Sequence, residues 1–315
     1  MLNVKKEIYI NSIMIKKKKI LVVLILSIVF ISELIISTNV YSILPSPLLY
    51  DGKKVKNVEY WQFKKKEIRK ILMDEQFGRI PNLPKFTAEI IREEEFENAI
   101  KKNINIKIKA EDGQNLSLGV ITYLIKGKKN GPTIICIDLN ECNKETLVKT
   151  SINNNYNFIT FETEKLSPEF VKNPEAINKL KEIYKEYTWG ALAQRAWLGM
   201  IVTEYVKKIE DVDINKLIVT GHSRNGKVAL IMGFINDQFI ITNPVNSGIT
   251  GSSVIKFYGY KSNDLAYLTS HNRFPYWYEK NFSKKYKRNE KKMSFDSHFQ
   301  LALISPRNLF IQISE

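Results

Sequence analysis

The sequence predicts an α/β protein built on a mostly parallel sheet covered on both faces, and three observations carry that prediction. Short, nearly all-apolar runs recur from residue 132 onward: PTIICID, YNFITFE, KLIVTG, QFIITN and RNLFIQIS. Helix-like stretches lie between them; TWGALAQRAWLGMIVTEYVKK is the longest, and GKVALIMGF follows KLIVTG closely. Strands without polar alternation are buried on both faces, the condition of a parallel sheet flanked by helices. The third observation is size: 315 residues, 44% of them hydrophobic, can bury the core such a sheet needs.

Taken in order, the chain opens with four lysines at 16–19, an apolar run ILVVLILSIVFIS at 20–32, and small residues at a cleavage-site spacing around Val40 and Ser42. This reads as a secretory signal peptide spanning 1–42, with a secreted or cell-surface product. The rival is an uncleaved membrane anchor, since LIIS prolongs the apolar stretch toward the roughly 20 residues a span needs. VEYWQFKKKEIRKILMDEQFG then places Ile68, Ile71 and Leu72 at helical spacing and stops at Gly78. NINIKIKA alternates, with Ile104, Ile106 and Ile108 on one side, and EDGQ turns the chain into LSLGVITYLI; the pair reads as antiparallel edge strands. No repeat or low-complexity linker interrupts the rest of the chain, so one domain is expected over 43–315.

A net charge of +15 would favour anionic polymers, although the lysines are scattered through the chain as a general bias. The one cluster, EKNFSKKYKRNEKK at 279–292, reads as a solvated loop. No nucleic-acid-binding motif accompanies it, and no spacing of ligands suits zinc. Cys136 and Cys142 fit either one disulfide of an exported protein or, for Cys136 inside PTIICIDL, a buried thiol.

KLIVTGHSRNGKVAL, residues 216–230, is where chemistry concentrates. A nucleophile elbow holds its serine on a strained strand-to-helix turn, and the positions around it must be small. Gly221 meets that demand and Gly226 serves the following crossing, yet Asn225 stands where the usual G-x-S-x-G has its second glycine. As a bare motif this fits a helix N-cap at Ser223 equally well. The apolar strand before it and the apolar helix after it favour the elbow.

VTGHSRNGKVAL resembles the G-[CH]-S-R-x-G-K signature of the glucuronoyl esterases (4-O-methyl-glucuronoyl methylesterase-like), the fifteenth carbohydrate esterase family. LPSPLLYDGKKV and EQFGRIP resemble that family's entry segment, WGALAQRAWLGM its Trp-rich helix, and NSGITGSS its N-S-G-x-x-G turn. FPYWY and SFDSHFQLALISPRNLF are similar to two further family blocks, so the likeness runs in order from about residue 44 to the last residue. The resemblance implies an α/β-hydrolase three-layer sandwich, without metal or cofactor, that cleaves esters of (4-O-methyl-)glucuronic acid in plant cell-wall glucuronoxylan. It makes Ser223 the nucleophile and gives Arg224 the oxyanion, a task that suits a guanidinium because its charge persists at any working pH. Lys227, one helical turn on, would donate to sugar hydroxyls. The competing expectation for both cations is solvated charge near a helix start, which the helix dipole disfavours. Trp277 lines the sugar cleft or packs.

A serine hydrolase also needs a histidine and, as a rule, an acid that orients it. Asn246 stands where some relatives carry a Glu, and a Glu expected in a later G-E pair is replaced by Gly259-Tyr260. Of the three histidines, His222 adjoins the serine, His271 lies in TSHNRF, and His298 lies in a block that relatives also have without using it as their base. By the resemblance, the family's base comes from a loop beyond residue 315, as do its final strand, a closing helix and a substrate-contacting Trp. The sequence therefore predicts an α/β-hydrolase shortened at its C-terminus and weakly active or inactive as it stands. The alternative is a degenerate, non-catalytic carbohydrate-binding protein on the same scaffold; an esterase for acetyl or other esters is a third reading.

Overall fold

The computed structural model describes residues 44–50, 52–138, 144–168, 175–256 and 264–314. The segment expected as a signal, Cys142 and the Gly259-Tyr260 pair lie outside the described residues. Ser46–Glu315 forms one compact unit. Among the described residues no helix is long and apolar enough to cross a membrane.

A small antiparallel pair, β1 (Leu49–Tyr50) and β2 (Lys53–Lys54), leads into helix α1 (Val58–Leu72). Asn57 caps α1 by accepting a hydrogen bond from the backbone N–H of Tyr60, 2.9 Å, and the helix runs through a π turn, Met73–Phe77, before Gly78 ends it. Three long antiparallel strands follow: β3 (Phe86–Phe96), β4 (Ala99–Lys109) and β5 (Asn115–Ile125). Ile104, Ile106 and Ile108 share one buried face of β4, as their alternation predicts. The expected edge position of β4 is corrected: β3 lies outside it. The sequence hid β3 because its acidic run Arg92–Glu95 carries no apolar face. The strand is held by the antiparallel ladder to β4 along its length, and its acidic residues fit there because Glu93 and Glu94 sit directly opposite Lys102 and Lys101 and pair with them at 3.0 and 2.6 Å.

The remaining elements alternate: β6 (Gly131–Ile137), α2 (Lys144–Asn153), β7 (Asn157–Phe161), α3 (Lys179–Ile183), α4 (Ala191–Val206), β8 (Val212–His222), α5 (Arg224–Ile235) and β9 (Phe239–Val245). Short helices α6 (Leu265–Leu268), α7 (Phe282–Tyr286) and α8 (His298–Ile304) precede β10 (Asn308–Leu309). The eight-stranded sheet has the order β10-β9-β8-β6-β7-β5-β4-β3, parallel from β7 through β10. RNLFIQIS, expected as a full strand, pairs regularly over two residues only. It still follows β9 as far as Gln312, whose carbonyl accepts from the N–H of Asn246 at 2.8 Å, but Phe310 and Ile313 face outward, exposed.

Helix α4 explains why the sheet is so apolar. Fourteen of its sixteen residues are buried, so it presents no polar face, and its Trp197 clusters with Trp189, just before it, and Tyr184. Inside this apolar helix sits one guanidinium, Arg195, 1% exposed. The carboxyl ends of β6, β7, β8 and β9 open toward one side, where Asp138, Glu164, Ser223 and Asn246 follow them in turn, the usual place for chemistry in an open α/β sheet.

Candidate active site

Strand β8 ends in a bend so tight that only small residues fit. A Cβ on Gly221 would lie 2.3 Å from the carbonyl oxygen of Asn225, and one on Gly226 would lie 2.9 Å from that of Val245 on β9. Asn225 is tolerated where the usual motif has glycine because the close approach to β9 falls one residue later, at Gly226. Ser223 takes the strain of the bend: φ is +56° and ψ is −119°, a conformation that costs a non-glycine residue about 1–3 kcal/mol. Its N–H is pinned to the carbonyl of Val245 at 2.8 Å, and its side chain is exposed. Ser223 occupies the N-cap position of α5, yet its side chain makes no capping hydrogen bond. That separates the two readings of the motif in favour of the elbow.

The first turn of α5 holds two cations and no acid, against the helix dipole. Neither is a solvated surface charge. Arg224 is 7% exposed, and its Nη2 donates to Glu164 Oε1 at 2.7 Å. The same oxygen accepts from Arg195 Nη2 at 3.1 Å, while Arg195 also donates to the Ser167 carbonyl at 2.7 Å and to Asp138 Oδ2 at 3.4 Å. Asp138 is buried and receives the Thr163 N–H at 2.7 Å and the Thr163 hydroxyl. Burial pushes its carboxyl above the usual range, against the pull of Arg195 and Thr163. A relay of alternating charge, Asp138–Arg195–Glu164–Arg224, thus ends one residue from the nucleophile.

Lys227 is handled differently. It is 5% exposed, and its Nζ donates to two carbonyls of the turn after β9, those of Ser247 and of Ile249, the latter at 2.8 Å. No carboxylate contributes, so burial pushes its ammonium from the usual 10.5 down to about 7. Trp277 lies 6.0 Å from that Nζ, is 5% exposed, and stacks on Phe274 at a centroid distance of 3.9 Å. Of the four residues singled out from the sequence, Ser223, Arg224 and Lys227 are brought together by one turn of helix, and Trp277 reaches them through Lys227.

The three histidines have other surroundings among the described residues. Asn246 accepts the Ser314 N–H at 2.6 Å and sets its Nδ2 3.4 Å from His222 Nε2. The imidazole it touches is therefore the neighbour of the nucleophile, whose Nδ1 is buried without a hydrogen-bond partner among the described residues. His298 packs edge-on to Phe299, and His271 is exposed. Among the described residues no imidazole is hydrogen-bonded to the Ser223 hydroxyl. Sequence reasoning missed Asp138, Glu164 and Arg195; a guanidinium in the middle of an otherwise apolar helix was the signal that could have found them.

A strained serine between a parallel strand and a buried helix, at the carboxyl edge of a sheet of this order, defines the α/β-hydrolase fold. A family model described as "Glucuronyl esterase, fungi" matches residues 106–314, and the chain belongs to that family. It is 25% identical over 274 residues to a 4-O-methyl-glucuronoyl methylesterase of Podospora anserina, covering 83% of this chain and 53% of that protein. A glucuronoyl esterase from Solibacter usitatus superposes with a TM-score of 0.73 at 24% identity, covering 86% of this chain and 79% of that one. So does a mutant glucuronoyl esterase from Sporotrichum thermophile in complex with methyl 4-O-methyl-β-D-glucopyranuronate, with a TM-score of 0.66 at 24% identity, over 85% and 70%. The chain spans about half the length of the curated relatives it matches.

Proposed function

We propose that the protein is an exported serine carboxylic ester hydrolase acting on esters of (4-O-methyl-)glucuronic acid, of the kind that join glucuronoxylan to lignin alcohols, with 43–315 as its hydrolase domain and 1–42 as its export segment. The observation that carries this reading is the backbone of Ser223, forced to positive φ on the elbow with its hydroxyl exposed and no cap to make. The family membership and the substrate ester bound by the Sporotrichum thermophile relative support the acyl group.

In this reading the Ser223 oxygen attacks the uronate carbonyl carbon and the Arg224 guanidinium, with the N–H of the same residue, receives the negative charge on the carbonyl oxygen. The carbon–oxygen bond to the alcohol then breaks, and the alcohol leaves with the proton drawn from Ser223. Water releases the glucuronic acid and restores the serine. Lys227, bonded to the carbonyls of Ser247 and Ile249, and Trp277 behind it form the wall on the sugar side.

The proton of Ser223 needs an acceptor, and removing the base of a triad costs about 10^4-fold or more in rate. The 315-residue chain is thus expected to turn over methyl 4-O-methylglucuronate slowly and to show its chemistry best in the covalent step. Prolonged incubation with benzyl glucuronate, followed by intact-mass and peptide mapping, should place a glucuronoyl adduct on Ser223, absent from Ser223→Ala. An adduct of equal yield in that variant, or none in either protein, would end this reading. Retention on glucuronoxylan without any adduct would instead identify a scaffold that binds sugar and has lost turnover, the reading that Asn246 favours.

A further inference from the structure

We propose that the surface formed by 280–292 docks an anionic polysaccharide, a chain bearing uronic acid carboxylates, beside the mouth above Ser223; this rests on the esterase reading and names the polymer-binding part of the same substrate. Seven cations point outward here within thirteen residues: Lys280, Lys284, Lys285, Lys287, Arg288, Lys291 and Lys292. Among the described residues only the Lys285 side chain forms an ion pair, with Glu75; Glu290, within the stretch, accepts the backbone N–H of Arg288 at 3.2 Å and pairs with none of the seven side-chain cations. Several lysines elsewhere are neutralised: Lys101, Lys102, Lys126 and Lys149 each meet a glutamate at 2.6 to 3.1 Å. Concentrating unpaired charge in one stretch raises repulsion within the fold, and an anionic partner is what relieves it.

The stretch is not the loose solvated loop that its composition suggests. Phe282, Tyr286, Met293 and Phe295 are buried beneath it, with Tyr286 edge-on to Phe295 at 5.9 Å, and Glu75 holds both Lys285 and the Tyr286 hydroxyl, the latter at 2.9 Å. The cations are therefore displayed on a clamped backbone, which lowers the ordering cost of binding. Position supplies the occupant. The N–H of Lys280 donates to the Thr188 carbonyl at 3.3 Å and that of Glu279 to the Gln76 carbonyl at 2.9 Å, and Lys280 follows only three residues after Trp277, hence within about 11 Å of it along the chain. Trp277 lies 6.0 Å from Lys227 Nζ, one turn beyond Ser223. A polymer whose ester enters that mouth carries its unesterified uronate groups across these lysines.

The test is affinity electrophoresis in gels containing de-esterified glucuronoxylan, with neutral arabinoxylan as the comparison and a single-stranded oligonucleotide as a competing polyanion. Wild-type protein should be retarded by glucuronoxylan alone among the two polysaccharides, and 1 M NaCl, which shortens the screening length to about 3 Å, should abolish the retardation. Lys284→Glu/Lys287→Glu/Arg288→Glu/Lys291→Glu should weaken it by about tenfold or more. A second variant changes the net charge equally through Lys53→Glu, Lys54→Glu, Lys56→Glu and Lys66→Glu, and should stay within about twofold of wild type. Equal loss in both variants, equal retardation by arabinoxylan, or none by glucuronoxylan would overturn the proposal. An oligonucleotide bound more tightly than glucuronoxylan and released by the first variant would overturn it in favour of a nucleic acid. None of the four residues belongs to the catalytic turn, so the Ser223 adduct should form at the wild-type rate in the first variant. Its absence from both proteins would end the esterase reading without altering the gel result.

Discussion

Arg224 and Lys227 stand in the same turn of the same helix, 7% and 5% exposed, yet the fold answers their charges in opposite ways. The guanidinium meets a carboxylate at 2.7 Å that is itself braced by a second guanidinium and, beyond it, a buried aspartate. The ammonium meets carbonyl oxygens only. Carbonyl dipoles satisfy hydrogen bonds without repaying the full cost of taking an ion out of water, so Lys227 titrates near neutrality. The Arg224 side thus pairs charge with charge, the arrangement that the proposed oxyanion role would use. Charge on the Lys227 side depends on pH, which would be compatible with the proposed donation to neutral hydroxyls in either state.

The strongest way to break this contrast is Arg195→Met. The substitution keeps the volume inside α4 but takes the guanidinium away from buried Asp138, which keeps its bonds from Thr163, and from Glu164. Removing one member of a buried ionic cluster costs about 3–5 kcal/mol, and urea denaturation at pH 7 should show a loss of that size. A loss under about 1 kcal/mol would mean the relay is solvated rather than buried.

Lys227→Met sharpens the other side and carries a sign. In the folded protein the ammonium loses its proton near pH 7, in the unfolded chain near 10.5, so between those values the unfolded state binds more protons and stability rises with pH. Wild type minus variant should therefore climb by about 1.4 kcal/mol for each pH unit from 7.5 to 9.5, read from urea midpoints. Below pH 7 the difference should be flat. Above about pH 10.5 the lysine of the unfolded chain has lost its proton as well, so the difference levels off there; the buried tyrosines are common to both proteins and cancel from it. A flat difference throughout would show that Lys227 keeps its proton.

The two sides were not equally legible in the sequence. Lys227 and Arg224 are read through the resemblance of one contiguous motif to the family signature, a motif whose bend is set by glycines at 221 and 226. The parallel strands are read from apolar runs, because burial on both faces removes polar residues from them. Glu164 follows a strand in an irregular turn, Asp138 ends another, and Arg195 lies in a helix thirty residues on; only tertiary packing joins them. Strand β3 was hidden for the same reason, since its acidic residues find their lysines across a hairpin rather than within a local pattern. The short pairing of β10 follows from contacts too: after Asn308–Leu309 the chain continues beside β9 by single hydrogen bonds, with Phe310 and Ile313 turned out.

Glu164→Gln is the mildest test and the most informative about function. The side chain is 39% exposed, so solvent screens its ion pairs, and the amide oxygen can still accept from both guanidinium groups. Stability should fall by only about 1 kcal/mol. What changes is the charge beside Arg224: the carboxylate at 2.7 Å becomes neutral, and Nη2 is held less firmly by it. If Arg224 receives the oxyanion, a looser guanidinium stabilises the transition state less, and the rate of adduct formation on Ser223 should drop more than the small stability loss explains. Glu164→Asp, which restores the charge but shortens the reach, should recover stability without recovering the rate. Equal rates in all three proteins would mean that the Glu164 contact braces the fold and leaves the chemistry at Ser223 untouched.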